Sequence, residues 1–219
     1  MTKGIVSGVV SNMVTLRVDG PVLQGEICYI TTGGDRLMAE VIKVVGSDVY
    51  VQVFESTRGL KVGSEAEFTG HQLEIQLGPG MLSKNYDGLQ NDLDKMDGVF
   101  LRRGQYTAPL DEDRLWDFEP IVKAGDKVEG SAWLGKVEEN HQPLKIMAPF
   151  QMEGVAVVKS IVPAGQYKVN DTIAVLTTEA GEDINVTMVQ RWPVKFAMTN
   201  YKEKPRPFKL LEAGVRTID

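Results

Sequence analysis

Short apolar runs separated by turn residues dominate the first third of the chain. Ile5-Val6-Ser7-Gly8-Val9-Val10, Val14-Thr15-Leu16-Arg17-Val18 and Gly25-Glu26-Ile27-Cys28-Tyr29-Ile30 are rich in β-branched residues, which favour a pleated, half-buried backbone. Met38-Ala39-Glu40-Val41-Ile42-Lys43-Val44-Val45 and Val49-Tyr50-Val51-Gln52-Val53-Phe54 flank Gly46-Ser47-Asp48, a hairpin signal. Several short strands at this spacing predict a small closed β-barrel over residues 1–70, because closure removes exposed sheet edges.

The pattern then loosens. Gly78-Pro79-Gly80-Met81-Leu82 demands a sharp turn, residues 89–96 predict a short helix, and residues 102–107 read as extended. Asp111-Glu112-Asp113 predicts a solvated acidic loop. Further on, Ile121-Val122-Lys123-Ala124-Gly125-Asp126 recurs as Ile161-Val162-Pro163-Ala164-Gly165-Gln166. Each copy leads into a second β-like run, residues 128–134 in the first and 169–176 in the second. Two such strand–turn–strand units predict a pseudo-twofold sandwich in which each half covers the other's apolar face. In the tail, Pro205 and Pro207 favour an extended segment, and residues 208–212 predict the start of a helix.

Composition narrows the function classes. A net charge of -6 argues against nucleic acid as a partner, since phosphate contacts need a basic face. No run approaches the roughly 18 apolar residues of a membrane span, which predicts no direct membrane insertion. The start lacks the apolar segment of a secretory signal, so a cytoplasmic location is expected. The single cysteine, Cys28, lies in an apolar run and has no partner within the chain. A buried structural thiol is the simpler reading, and a reactive one is the alternative.

Candidate chemistry is sparse. His71 and His141 lie far apart and lack the paired spacing of a zinc site, so no metal site is expected. Gly33-Gly34 and Gly78-Pro79-Gly80 are close glycine clusters, but neither is followed by Lys-Ser or Lys-Thr, and they read as turns rather than phosphate loops. No catalytic and no cofactor-binding residue is assigned. Trp116, Trp133 and Trp192 are expected to anchor cores. Lys145 carries the alternative reading. Biotinyl and lipoyl carrier domains are also pseudo-twofold sandwiches with the modified lysine on the hairpin between halves. Ile146-Met147-Ala148-Pro149 followed by Gly154-Val155 resembles the strand after such a lysine. Carriers, however, place several residues between the lysine and that run. Here the expected hairpin tip is Glu139-Asn140-His141-Gln142, which leaves Lys145 inside a strand.

More specific runs resemble the catalytic A subunit of V/A-type rotary ATPases. They are Glu55-Ser56-Thr57-Arg58-Gly59-Leu60-Lys61-Val62-Gly63, Leu77-Gly78-Pro79-Gly80-Met81-Leu82, Tyr86-Asp87-Gly88-Leu89-Gln90, Arg102-Arg103-Gly104 and Phe118-Glu119-Pro120. Gln190-Arg191-Trp192-Pro193-Val194, Pro205-Arg206-Pro207 and Gly214-Val215-Arg216-Thr217-Ile218-Asp219 extend the likeness over the whole chain. Gln90-Asn91-Asp92-Leu93 departs from the family's Gln-Arg-Pro-Leu.

The resemblance implies a mainly β layout. Residues 1–70 would be the barrel of a hexamer crown, and 71–117 the first segment of an α/β nucleotide-binding domain. Residues 118–193 would be an inserted bulge, and 194–219 a return toward a phosphate loop lying beyond Asp219. The implied partners are B subunits through the barrel and peripheral stalk subunits through the bulge. Mg-ATP would belong to the full-length subunit, with no cofactor expected on these residues. The complete enzyme would couple ATP hydrolysis or synthesis to proton or sodium transport.

Overall fold

A computed structural model describes residues 2–98, 100, 102–196 and 203–209. The barrel is built from β1 (Lys3–Val10), β2 (Met13–Val18), β3 (Glu26–Thr32), β4 (Asp35–Val45), β5 (Asp48–Val53) and β6 (Glu65–Gln72). All neighbours are antiparallel, in the closed order β1-β2-β5-β4-β3-β6. Period-two alternation sends Val6, Val14, Leu16, Ile30, Leu37, Val49, Val51 and Phe68 into one core. The β4–β5 hairpin turns at Gly46, in the left-handed region at φ 60°, as the sequence requires. The strand that closes the barrel, β6, is absent from the sequence-based expectation. Its Glu-Ala-Glu-Phe-Thr-Gly-His-Gln run is polar, and only Ala66 and Phe68 are buried.

After β6 come β7 (Glu74–Leu77), then β8 (Leu115–Pro120), β9 (Lys127–Glu129), β10 (Trp133–Glu139), β11 (Gln142–Met147), β12 (Val155–Ile161), β13 (Gly165–Lys168), β14 (Ala174–Thr178), β15 (Asp183–Val186) and β16 (Gln190–Pro193). The repeat halves are β8–β11 and β12–β15. The sheets are β11-β10-β8-β13 and β15-β14-β12-β9, so each half lends one short strand to the other's sheet. The two halves are therefore hydrogen-bonded together as well as packed together. Two small cores result, one around Leu134, Val158 and Leu176, the other around Phe118, Val137 and Ile173.

Several local expectations are corrected. Residues 128–134 do not form one strand, because Ser131 takes φ 68° and turns the chain between β9 and β10. Residues 169–176 likewise break, with the Lys168 N–H bonded to Asp171 Oδ2, before β14 begins. The helix over 89–96 reduces to one 3-10 turn, Leu93–Lys95. Asp87 Oδ1 takes the N–H groups of Leu89 and Asn91, and Gln90 sits at φ 62°, so no helical ladder can start there. Residues 102–107 bend at Gly104, φ 71°, instead of running extended. Trp116 is buried and Trp192 half-buried, but Trp133 is 56% exposed and anchors no core. Of the expected helix over 208–212, Phe208 and Lys209 are exposed and the rest lies outside the described residues.

Candidate functional site

Two regions join barrel to sandwich, and both use residues the sequence singled out. In the first, the segment following the 3-10 turn folds back onto the barrel wall. Arg103 Nε and Nη2 both reach Asp35 Oδ2, at 2.9 and 2.8 Å, and Nη1 donates to the carbonyls of Ser56 and Arg58. One guanidinium thus ties the β3–β4 turn to the 55–59 loop, a use of its fixed fork that lysine could not copy. Gly104 donates its N–H to Glu55 Oε2 at 3.1 Å. A side chain at Gly104 would press on Asp35 at 3.2 Å, in a backbone conformation that favours glycine.

Tyr106 completes the contact. Its hydroxyl accepts the Met38 N–H at 2.9 Å, and its ring meets Tyr29 edge-on at 6.1 Å, with Arg36 stacked over Tyr29. Burial raises the Tyr106 hydroxyl well above the ordinary tyrosine range, with the Glu55 charge adding to it. The group is neutral at physiological pH and serves as a hydrogen-bonding anchor.

The second region is a neck in which β7 leaves the barrel beside the returning β16, pairing Gln76 with Arg191 and Ile75 with Trp192. The outer edge of β7 is closed by a side chain. Gln90 Oε1 accepts the Gln76 N–H and Gln90 Nε2 donates to the Gln76 carbonyl, both at 2.7 Å, as a neighbouring strand would. Gln190, on β16, does the same for the 147–150 loop through Met147 O and the Phe150 N–H. Just past β16, the Val194 N–H bonds to Leu73 O, and Lys195 pairs with the buried Glu40 of the barrel.

Asn91 and Asp92 also carry contacts of their own. Asn91 exchanges hydrogen bonds with Asp87 and Thr107, and Asp92 is 1% exposed, capping the 3-10 turn beside Lys84 and Lys95. The pair holds the 84–95 segment and Thr107 together.

The other candidates stay apart from these regions and from each other. Lys145 lies in β11 opposite Lys136, with Nζ 4.7 Å above the Trp133 ring. The hairpin tip is Asn140-His141, both at positive φ, so Lys145 is not presented there. Cys28 is fully buried in the barrel, and burial pushes its thiol up to about 12, which suppresses thiolate chemistry. Gly33 and Gly34 both take positive φ in the β3–β4 turn. His71 and His141 each lie near a glutamate, Glu74 and Glu138. Among the described residues no cluster of three or more His, Cys, Asp or Glu side chains is arranged to hold a metal ion. Nor is any helix among them long and apolar enough to cross a membrane.

A closed six-stranded barrel followed by a strand-exchanged sandwich defines the class. The ATP synthase alpha/beta family beta-barrel domain matches residues 6–70, and the ATP synthase alpha/beta subunit barrel-sandwich domain matches residues 107–195. The chain belongs to the ATP synthase alpha/beta family. Within it, the whole chain is 43% identical over 221 residues to a V-type ATP synthase alpha chain of Treponema denticola, and 42% identical to one of Borrelia garinii subsp. bavariensis. Over 99% of its length it is 43% identical to a V-type ATP synthase alpha chain of Borrelia hermsii. It spans 38% of the length of each of these relatives. The carrier reading finds no support. The region around Lys145 falls within the match to the ATP synthase barrel-sandwich.

Proposed function

We propose that this chain is the assembly part of a V-type ATPase catalytic subunit, acting in the soluble head on the cytoplasmic face of a membrane. Residues 1–70 form the crown barrel that docks against neighbouring B-subunit barrels, and 118–193 form the bulge that meets the peripheral stalk. Residues 71–117 and 194–219 belong to the nucleotide-binding domain. The observation that carries this is continuity: barrel, neck and sandwich follow in one alignment covering the whole chain.

The chemistry divides accordingly. Phosphoryl transfer relies on loop amides, a lysine and magnesium to position and neutralise phosphates. These 219 residues contain no Gly-x-x-x-x-Gly-Lys-Ser/Thr run, so ATP turnover and ion coupling belong to the complete enzyme. The purified chain is expected to neither hydrolyse Mg-ATP nor bind it tightly. Calorimetric titration with Mg-ATP tests this, and saturable binding accompanied by phosphate release would refute it.

A further inference from the structure

We infer that Glu139 locks the sandwich to the neck, so that sandwich and neck move as one body. Immediately after β7 the chain turns through Gly78-Pro79-Gly80-Met81-Leu82, and the β10–β11 hairpin closes over this turn. Glu139 is the last residue of β10 and is 3% exposed. Its Oε1 accepts the N–H of Gly80 at 2.9 Å and the N–H of Leu82 at 3.0 Å. Beside it, Asn140 Nδ2 donates to Ser83 Oγ at 3.2 Å.

A carboxylate withdrawn from water needs donors, and these two amides supply them. They come from the neck, whereas the carboxylate comes from the far tip of a sandwich hairpin nearly 60 residues on. Gly80 takes φ 103°, which aims its N–H and the one two residues later at the same oxygen. Packing adds a second constraint, since Gly80 also lies against the buried Trp116 ring of β8. The neck itself is fastened to the barrel by Lys195, paired with Glu40 of β4, while the Val194 N–H bonds to Leu73 O at the base of β7. A load applied to the sandwich surface therefore reaches the barrel through this turn as well as along β16, which Gln190 ties to the 147–150 loop. The inference is independent of which partner the sandwich meets.

The test compares three forms of the full chain: the parent, Glu139→Gln and Glu139→Leu. Glutamine keeps an oxygen in place to accept both amides. Leucine fills the same space and accepts nothing. Spin labels at Lys43→Cys on the barrel and Ala180→Cys on the sandwich report the spread of inter-label distances, and buried Cys28 escapes labelling. Hydrogen exchange at Gly80 and Leu82 reports the clamp itself. The parent and Glu139→Gln should give one narrow distance distribution. Glu139→Leu should broaden it and speed exchange at both amides by about tenfold or more, the scale of a lost charge-assisted hydrogen bond. Amides of Val51 and Leu176 should not change. If Glu139→Leu keeps the narrow distribution and slow exchange, packing and the Gln190 contacts hold the sandwich without Glu139 and the inference fails. Should the leucine variant not fold, Glu139→Asp, which draws the oxygen back by one methylene, carries the same two readouts.

Discussion

Barrel and sandwich solve the problem of sheet edges in different ways. The barrel closes β6 onto β1, so all six strands are paired on both sides around a single core. The sandwich keeps open sheets of mostly short strands and holds its halves together by exchanging β9 and β13. One large core tolerates local change less gracefully at its centre but spreads it over many neighbours. Two small cores concentrate each contact. Each region should therefore break at a different kind of site.

The largest effect is expected at the centre of the barrel. Phe68 is the largest fully buried side chain of β6, and Phe68→Ala should cost about 3–5 kcal/mol. Thermal unfolding of that variant should lower the barrel's transition and leave protection of sandwich amides intact at moderate temperature. Next comes the sandwich's tightest point. A Cβ at Gly135 would lie 2.2 Å from the Phe118 ring and 2.8 Å from Glu119 O. Gly135→Ala should therefore destabilise the sandwich by about 1–3 kcal/mol, near the upper end, with barrel exchange rates unchanged. Equal loss of protection in both regions would erase the distinction between them.

Smaller changes sharpen it. Arg103→Ala removes the contacts to Asp35, Ser56 and Arg58, and Arg103→Lys cannot restore the fork. Because Asp35 is partly exposed, about 1 kcal/mol is expected, seen as faster exchange in the β3–β4 turn.

The two regions should also differ in pH response. In the sandwich, hydrogen bonds from Lys159 and then Thr177 hold the Asp183 carboxyl below its ordinary range, and Lys168 does the same for Asp113. Their stabilisation is present above the ordinary carboxylate range and is lost as pH falls through the lowered values. The effect is small because both carboxylates and both lysines are exposed, and the double variant Asp113→Asn with Asp183→Asn should flatten it. In the barrel the sign lies at the alkaline end. Between 9.0 and about 12 folded Cys28 keeps a proton that the unfolded chain releases, so stability falls as pH rises through that window. Cys28→Ala, followed by melting at pH 8 and 10.5, should reduce the alkaline loss and leave the part carried by Tyr29 and Tyr106, whose hydroxyls burial also raises.

Much of the barrel was legible because its runs are rich in β-branched residues and strands such as β2, with Val14-Thr15-Leu16-Arg17-Val18, alternate cleanly. The closing strand was not, since a strand contributing only Ala66 and Phe68 to the core carries almost no apolar signal. The internal repeat announced two similar halves, but nothing local reveals that β9 and β13 change places. That choice depends on which sheet edge is free after the halves meet. The 89–96 segment read as a helix because side-chain capture of its amides by Asp87 is invisible to periodicity. Arg103 and Gly104 were flagged by family likeness, and the structure adds what they hold. Gln90 and Gln190 stood in runs flagged by the same likeness, and Glu139 at the expected hairpin tip, but what each ties was not legible. Each acts on main-chain groups distant in sequence, which no local pattern records.

If the barrel serves assembly as proposed, sedimentation velocity of this chain mixed with the V-type B subunit from the same organism, with and without Mg-ATP, should show it. A complex should form without nucleotide and be lost when exposed residues of the barrel wall, such as Ile5 and Val44, are changed to aspartate. Independent sedimentation of the two proteins at all concentrations, with the B subunit intact and able to assemble with its complete partner, would contradict it.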